Sequence, residues 1–247
     1  MLTVLPAALV VPDQGVEAAL AVFIIGHEFA HGVVGQLRAA SGDQLKPAWL
    51  PRPIAQWLAR HALDEYLADR LAEVSLSVTV SAIDHAGVPM QVSSGLLGGH
   101  AGDSAAAAED GLHAIAKRIH QYRLDGELTP MWTEVVELTS QVFITLAHAQ
   151  AELDEMSASG PASAYEPAPT HPPNPLHDAW SEFVAALEAF PFLPTRDEYR
   201  HHEAAFLDHG APAVIDFWAA LGLTFETEGE GFHISVAPPE SAWLGPG

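Results

Sequence analysis

The sequence predicts a mainly α-helical protein that carries one β-hairpin near its C-terminal end. Three observations lead there. Four stretches before residue 156 repeat apolar residues at helical spacing. One later stretch, 223–236, alternates apolar and polar residues instead. Between them, a segment bearing six prolines cannot continue either pattern.

The first helix is expected over residues 14–40, with Asp13 as its N-cap. From Val16 to Leu37 it is apolar on nearly every face, which predicts a central, buried position. Ser41, Gly42 and Asp43 end it, and Pro47, Pro51 and Pro53 mark the following loop. A second helix is expected from Ile54 to Leu76. The glycine-bearing stretch 86–103 reads as a loop. A third helix begins near Ser104, with Leu112, Ile115, Ile119 and Tyr122 at helical spacing. The fourth starts with Thr129 as N-cap and Pro130 at the first helical position, where a missing N–H costs nothing. Its core stripe is Trp132, Val135, Val136, Thr139, Val142, Phe143 and Leu146.

Residues 156–176 read as an extended linker. They divide the chain into an expected helical domain, 1–155, and a small α+β domain, 177–247. The latter is expected to hold short helices around 177–189, 195–208 and 211–221. The hairpin then pairs Leu223, Phe225 and Thr227 with Phe232, Ile234 and Val236 across a turn at Glu228-Gly229-Glu230-Gly231.

Composition limits function. Ten Lys and Arg against 32 Asp and Glu give a net charge of −22. That charge argues against nucleic acid, which needs clustered cations, and against an anionic membrane surface. The absence of cysteine excludes thiolate metal sites, iron–sulfur clusters and a Cys nucleophile, so any metal must be held by His and carboxylates. No basic N-terminal region precedes the apolar residues 1–11, and no apolar run approaches ~20 residues, so a cytoplasmic location is expected.

One constellation carries chemistry: His27-Glu28-Phe29-Ala30-His31, inside the first helix. His27 and His31 are four residues apart and project from one face, so both imidazoles can reach a single Zn²⁺. Glu28 points beside that face and can act on a metal-activated water without ligating the metal. An apolar helix that carries three such groups needs a reason, because each costs a few kcal/mol when buried without a partner, on the order of 2–7. A third ligand is required. The second helix offers His61, Asp64, Glu65 and Asp69. Glu65 and Asp69 share a face, so Glu65 can ligate while Asp69 accepts the second ring proton of a ligand histidine. His61 and Asp69 are rival ligands. His61, Tyr66 and His148 are further candidates as alternative ligands or as contacts to an oxyanion. Tyr66 has packing as its competing role, and His148 has packing in the core or groove. His113, His120, His201 and His202 read as surface residues.

These motifs resemble those of the gluzincin metallopeptidases, in which H-E-x-x-H lies on one helix and E-x-x-A-D on a later one. The resemblance covers roughly residues 16–75 and implies a zincin-like core built on two ligand helices. It implies His27, His31 and Glu65 as zinc ligands, Glu28 as general base and Asp69 as the partner of a ligand. Such enzymes place an edge strand before the active-site helix; here only Leu2–Val11 precedes it, so the N-terminal sheet is minimal or missing. The expected activity is zinc-dependent hydrolysis of peptide bonds in a peptide or protein substrate, with basic segments favoured by the negative charge. The competing expectation is a catalytically inactive zinc-binding or protein-interaction protein whose metal is structural. A helical binding protein without metal is a third.

Overall fold

A computed structural model of the chain describes residues 16–41, 50–85, 100–158, 175–228 and 231–237. Among these, six helices and one two-stranded sheet follow in order: α1 (Val16–Ser41), α2 (Pro51–His85), α3 (His100–Asp125), α4 (Leu128–Ala158), α5 (Pro175–Glu188), α6 (Arg196–Ala220), β1 (Leu223–Glu228) and β2 (Gly231–Val236). The mainly helical class with a hairpin is therefore observed. Asp13, the expected strand Leu2–Val11, most of the 86–103 loop, most of the linker and the centre of the hairpin turn lie outside the described residues.

Helix α2 forms the middle of the packing. It lies against α1, α4 and α6, while α3 pairs with α4 and α5 with α6. Its side chains explain this. Ala55, Leu58, Ala59, Ala62, Leu63, Tyr66 and Ala68 are all fully buried, and the alanines let neighbouring helices approach closely. Helix α1 was expected in that central position and does not occupy it. Ala30 and Val34 are buried, but Ile24 is 43% and Phe29 72% exposed. An apolar sequence does not choose its own neighbours, and this helix packs mainly against α2 and, less extensively, against α6.

Helix α2 begins earlier than expected. Pro51 and Pro53 lie in its first turn, where backbone N–H groups have no helical acceptor, so proline is tolerated. The Ile54 N–H already donates to the Leu50 carbonyl at 3.1 Å. Helix α3 begins at His100 rather than near Ser104, and α4 begins one residue before the expected cap.

The two short helices expected at 195–208 and 211–221 are one helix, α6, with Pro212 inside it. An internal proline costs ~3 kcal/mol. Burial on both sides offsets it, since Tyr199, Phe206, Leu207, Ala213, Val214, Phe217 and Trp218 all enter the core. Gly210 permits this passage: a Cβ there would meet Phe206, Phe183 and Ala59 at 3.1–3.4 Å.

The hydrophobic core is continuous from Val34 of α1 to Leu223 of β1, and residues on both sides of 156–176 contribute to it. Trp132 of α4 sits 4.9 Å from Trp218 of α6 in an edge-on geometry that suits ring quadrupoles, and 5.2 Å from the tilted ring of Phe225 of the hairpin. The buried indole of Trp218 donates to the Thr139 hydroxyl at 3.0 Å, which donates to the Val135 carbonyl at 2.7 Å. The hairpin pairs Phe225 with Ile234 and Thr227 with Phe232, the expected register. Gly222, at φ +84°, makes the turn from α6 into β1; a Cβ there would approach the Ala237 carbonyl to 2.9 Å.

One polar cluster locks α6 to the first two helices. Arg38 of α1 forms a fork onto both carboxylate oxygens of Asp64 of α2. Its Nε also donates to Glu203 of α6 at 3.2 Å. Glu203, 2% exposed, lies 3.0 Å from Arg60 as well. A buried carboxylate between two guanidiniums is costly to break, because the remaining charges keep their desolvation. Glu203→Gln is expected to lower unfolding free energy by about 3 kcal/mol in urea titrations; a loss below about 0.5 kcal/mol would show that the cluster is solvent-screened.

Candidate metal centre

The centre is assembled where α1 crosses α2. His27 and His31 share one face of α1, as their spacing requires. Their Nε2 atoms lie 3.0 Å apart. From α2, the Glu65 Oε2 approaches both, at 3.4 Å from each. These three atoms form the only cluster of potential metal donors among the described residues.

The triangle has the dimensions of a metal face. Zinc–nitrogen bonds of about 2.0–2.1 Å at tetrahedral angles put neighbouring ligand atoms ~3.3–3.4 Å apart. The observed edges are 3.0, 3.4 and 3.4 Å. Two imidazole nitrogens and one carboxylate oxygen are also a donor set that zinc accepts. The residues present therefore fit the ion.

Asp69, one turn beyond Glu65 on α2, fixes the imidazoles from behind. Its Oδ1 accepts from His27 Nδ1 at 2.8 Å, so the Nε2 lone pair faces the centre. Its Oδ2 accepts from Nδ1 of His148 of α4 at 2.6 Å. His148 Nε2 then lies 3.8 Å from Glu65 Oε2. Asp69 thus bonds to the Nδ1 atoms of His27 and His148 and does not join the donor cluster. His148 faces the cleft and does not pack in the core.

The remaining candidates sit elsewhere. His61 is half-buried with its ring 4.2 Å from Trp57 and does not join the donor cluster. Tyr66 is fully buried; its hydroxyl donates to Asp154 at 2.5 Å and accepts from Arg70 at 3.0 Å, so it is a packing residue. His113, His120 and His201 are exposed and His202 lies against Phe190, all away from the centre.

Glu28 is exposed and turns off the ligand face. It lines a cleft of about 440 Å³ together with Phe23, Ile24, His27, Asp69 and His148. Glu73 of α2 and Glu152 of α4 line the same cleft, which has no Lys or Arg in its wall among the described residues. Neither acid has a sequence signature. Their placement depends on how α2 and α4 cross.

The electrostatics of the centre call for a cation. Hydrogen bonds to Asp69 and then Glu65 push His27 up to about 10. His31 is raised chiefly by its hydrogen bond to Glu65. Burial alone would push Glu65 up, but hydrogen bonds from His27 and His31 outweigh it and hold the carboxylate far below its usual range. Asp69 is depressed in the same way: its burial is outweighed by His148 and His27. Burial lowers His61 and nothing overcomes it. The imidazoles of His27 and His31 and the carboxylates of Glu65 and Asp69 thus favour one another's charged forms.

A stability profile follows. His27 titrates at 6.5 when unfolded and about 10 when folded. Its contribution is therefore complete below 6.5 and disappears as pH rises through about 10. The metal-free protein is expected to lose thermal stability between pH 7 and 10, and saturating zinc is expected to flatten that slope, because the ligand nitrogens are then deprotonated throughout. Thermal melts with and without zinc across this range provide the measurement; a slope unaffected by zinc would speak against these nitrogens as ligands. Comparison of the chain with family models, curated proteins and solved structures finds no match.

Proposed function

We propose that the protein is a zinc-dependent peptidase, with His27, His31 and Glu65 holding the ion and Glu28 acting as general base. The observation that carries this reading is the donor triangle opening beside a cleft whose wall includes Glu28. Zinc held there would supply Lewis-acid polarisation of a carbonyl and bring the pKa of water toward ~7.

The chain's own groups account for the rest. Asp69 keeps the His27 ring oriented through Nδ1. Glu28 follows His27 directly but turns off the ligand face, so its carboxylate is available to take a proton from water and return it to the departing amine. The cleft is long enough in volume to admit a few residues of an extended peptide. Its wall joins apolar Phe23 and Ile24 to acidic Glu73 and Glu152, which suits basic peptide segments. The resemblance of His27–His31 and Glu65–Asp69 to the two gluzincin motifs supports the same reading. No described helix is long and apolar enough to cross a membrane.

A structural metal is the second reading, because His148 stands next to the triangle and a closed shell of four protein ligands leaves no room for substrate. Glu28 separates the two. Glu28→Gln is expected to retain one zinc per chain while peptide hydrolysis falls by about 10²–10⁴-fold. His31→Ala is expected to lose both metal and activity. Elemental analysis and mass-spectrometric detection of cleavage in a mixture of basic and acidic peptides make the test. Full activity in Glu28→Gln would remove this mechanism, and a chain that takes up no zinc would remove the reading altogether.

A further inference from the structure

His148 and His27 are held alike. One carboxylate serves both: Asp69 accepts from His27 Nδ1 on one oxygen, at 2.8 Å, and from His148 Nδ1 on the other, at 2.6 Å. A carboxylate only accepts, so each Nδ1 carries its hydrogen. In the neutral ring each Nε2 then presents a lone pair. Both Nε2 atoms point to the same Glu65 oxygen, at 3.4 Å for His27 and 3.8 Å for His148. A carboxylate behind Nδ1 and a free lone pair in front is the arrangement that metal-ligating histidines adopt.

Three features set His148 apart. It does not belong to the group whose donor atoms lie within 4.8 Å of one another. Its side chain is also 37% exposed, against 17% for His27, and it lines the cleft. It comes from α4, whereas the three clustered donors come from α1 and α2. A ring fixed at one nitrogen, close to the centre and open to the cleft is suited to enter and leave.

We propose that His148 is an exchangeable fourth ligand of the zinc site, closing the metal shell when the cleft is empty and giving way to substrate. This rests on the zinc reading of His27, His31 and Glu65. It adds a control built into the site: Asp69 holds the same imidazole beside the centre through Nδ1. The arrangement joins the two expectations for the fourth position, since a four-ligand shell and an open one become two states of one centre.

Cobalt(II) substituted for zinc reports ligand number through its visible absorption. Metal-loaded wild-type protein and His148→Ala are to be compared in that spectrum, in zinc affinity by chelator competition, and in hydrolysis of basic peptides. In the variant the cobalt spectrum is expected to change. Zinc affinity is expected to fall by at least the about 10–100-fold that loss of an outer-shell partner produces. Hydrolysis at saturating zinc is expected to be faster than that of wild type, because no side chain then competes with substrate for the fourth position. An unchanged spectrum with unchanged affinity would overturn the proposal while leaving the three-ligand site intact. So would a hundredfold loss of hydrolysis with an unchanged spectrum, which marks a group acting on substrate and not on metal. Wild-type protein that binds neither metal overturns the zinc reading and this proposal together. Should His148→Ala fail to fold, His148→Phe keeps a ring in place without nitrogens and repeats the measurement.

Discussion

The Asp69 carboxylate is the point on which the centre depends. It is 8% exposed and belongs to α2, yet it binds a histidine of α1 with one oxygen and a histidine of α4 with the other. A carboxylate buried that deeply is stable only when its lone pairs are taken. Its requirement for donors therefore sets the relative rotation of three helices. Glu65 lies four residues earlier on the same helix and so faces the same crossing. The donor triangle is a consequence of satisfying Asp69 as much as of the motif on α1.

A second constraint fixes α1 and α2 from the other side of Glu65. Asp64 precedes the candidate ligand directly and is held in a two-pronged grip by Arg38. Such a fork specifies direction as well as distance. Glu203 of α6 then takes the Arg38 Nε, and Arg60 approaches the same Glu203 oxygen. Helix α6 contributes no donor to the triangle, but its buried acid determines where Arg38 can lie. The C-terminal helices thus bear on the site through charge pairing while also extending the core through Phe206, Phe217 and Trp218.

How much of this was legible in the sequence depended on the range of the signal. His27, Glu28 and His31 declare themselves because i, i+4 spacing is a local property of one helix. Glu65 and Asp69 are legible for the same reason, once α2 is recognised. The hairpin register follows from alternation about a short turn. The pairing of α2 with α4 has no such signal, so the cleft-facing role of His148 and the shared use of Asp69 were not distinguishable from packing. The extent of α6 was misread because Pro212 is a strong local breaker, whereas the burial that overrides it is tertiary. The burial of α1 was misread for the converse reason: apolar residues show that a helix can be buried, and only its neighbours decide whether it is.

The charge balance of the centre bears on which cation it suits. Glu65 and Asp69 bring two negative charges beside three imidazoles, within a fold whose net charge is −22. Protons meet that demand on the histidines only while solvent can deliver them, and the Nε2 atoms of His27 and His31 that would carry them lie 3.0 Å apart. Two protonated rings at that distance repel, so full neutralisation by protons is self-limiting. A divalent ion held by His27, His31 and Glu65 would supply both charges together and would need both Nε2 lone pairs unprotonated. The short distance between the two Nε2 atoms therefore disfavours a doubly protonated pair and is a spacing that one shared cation could satisfy.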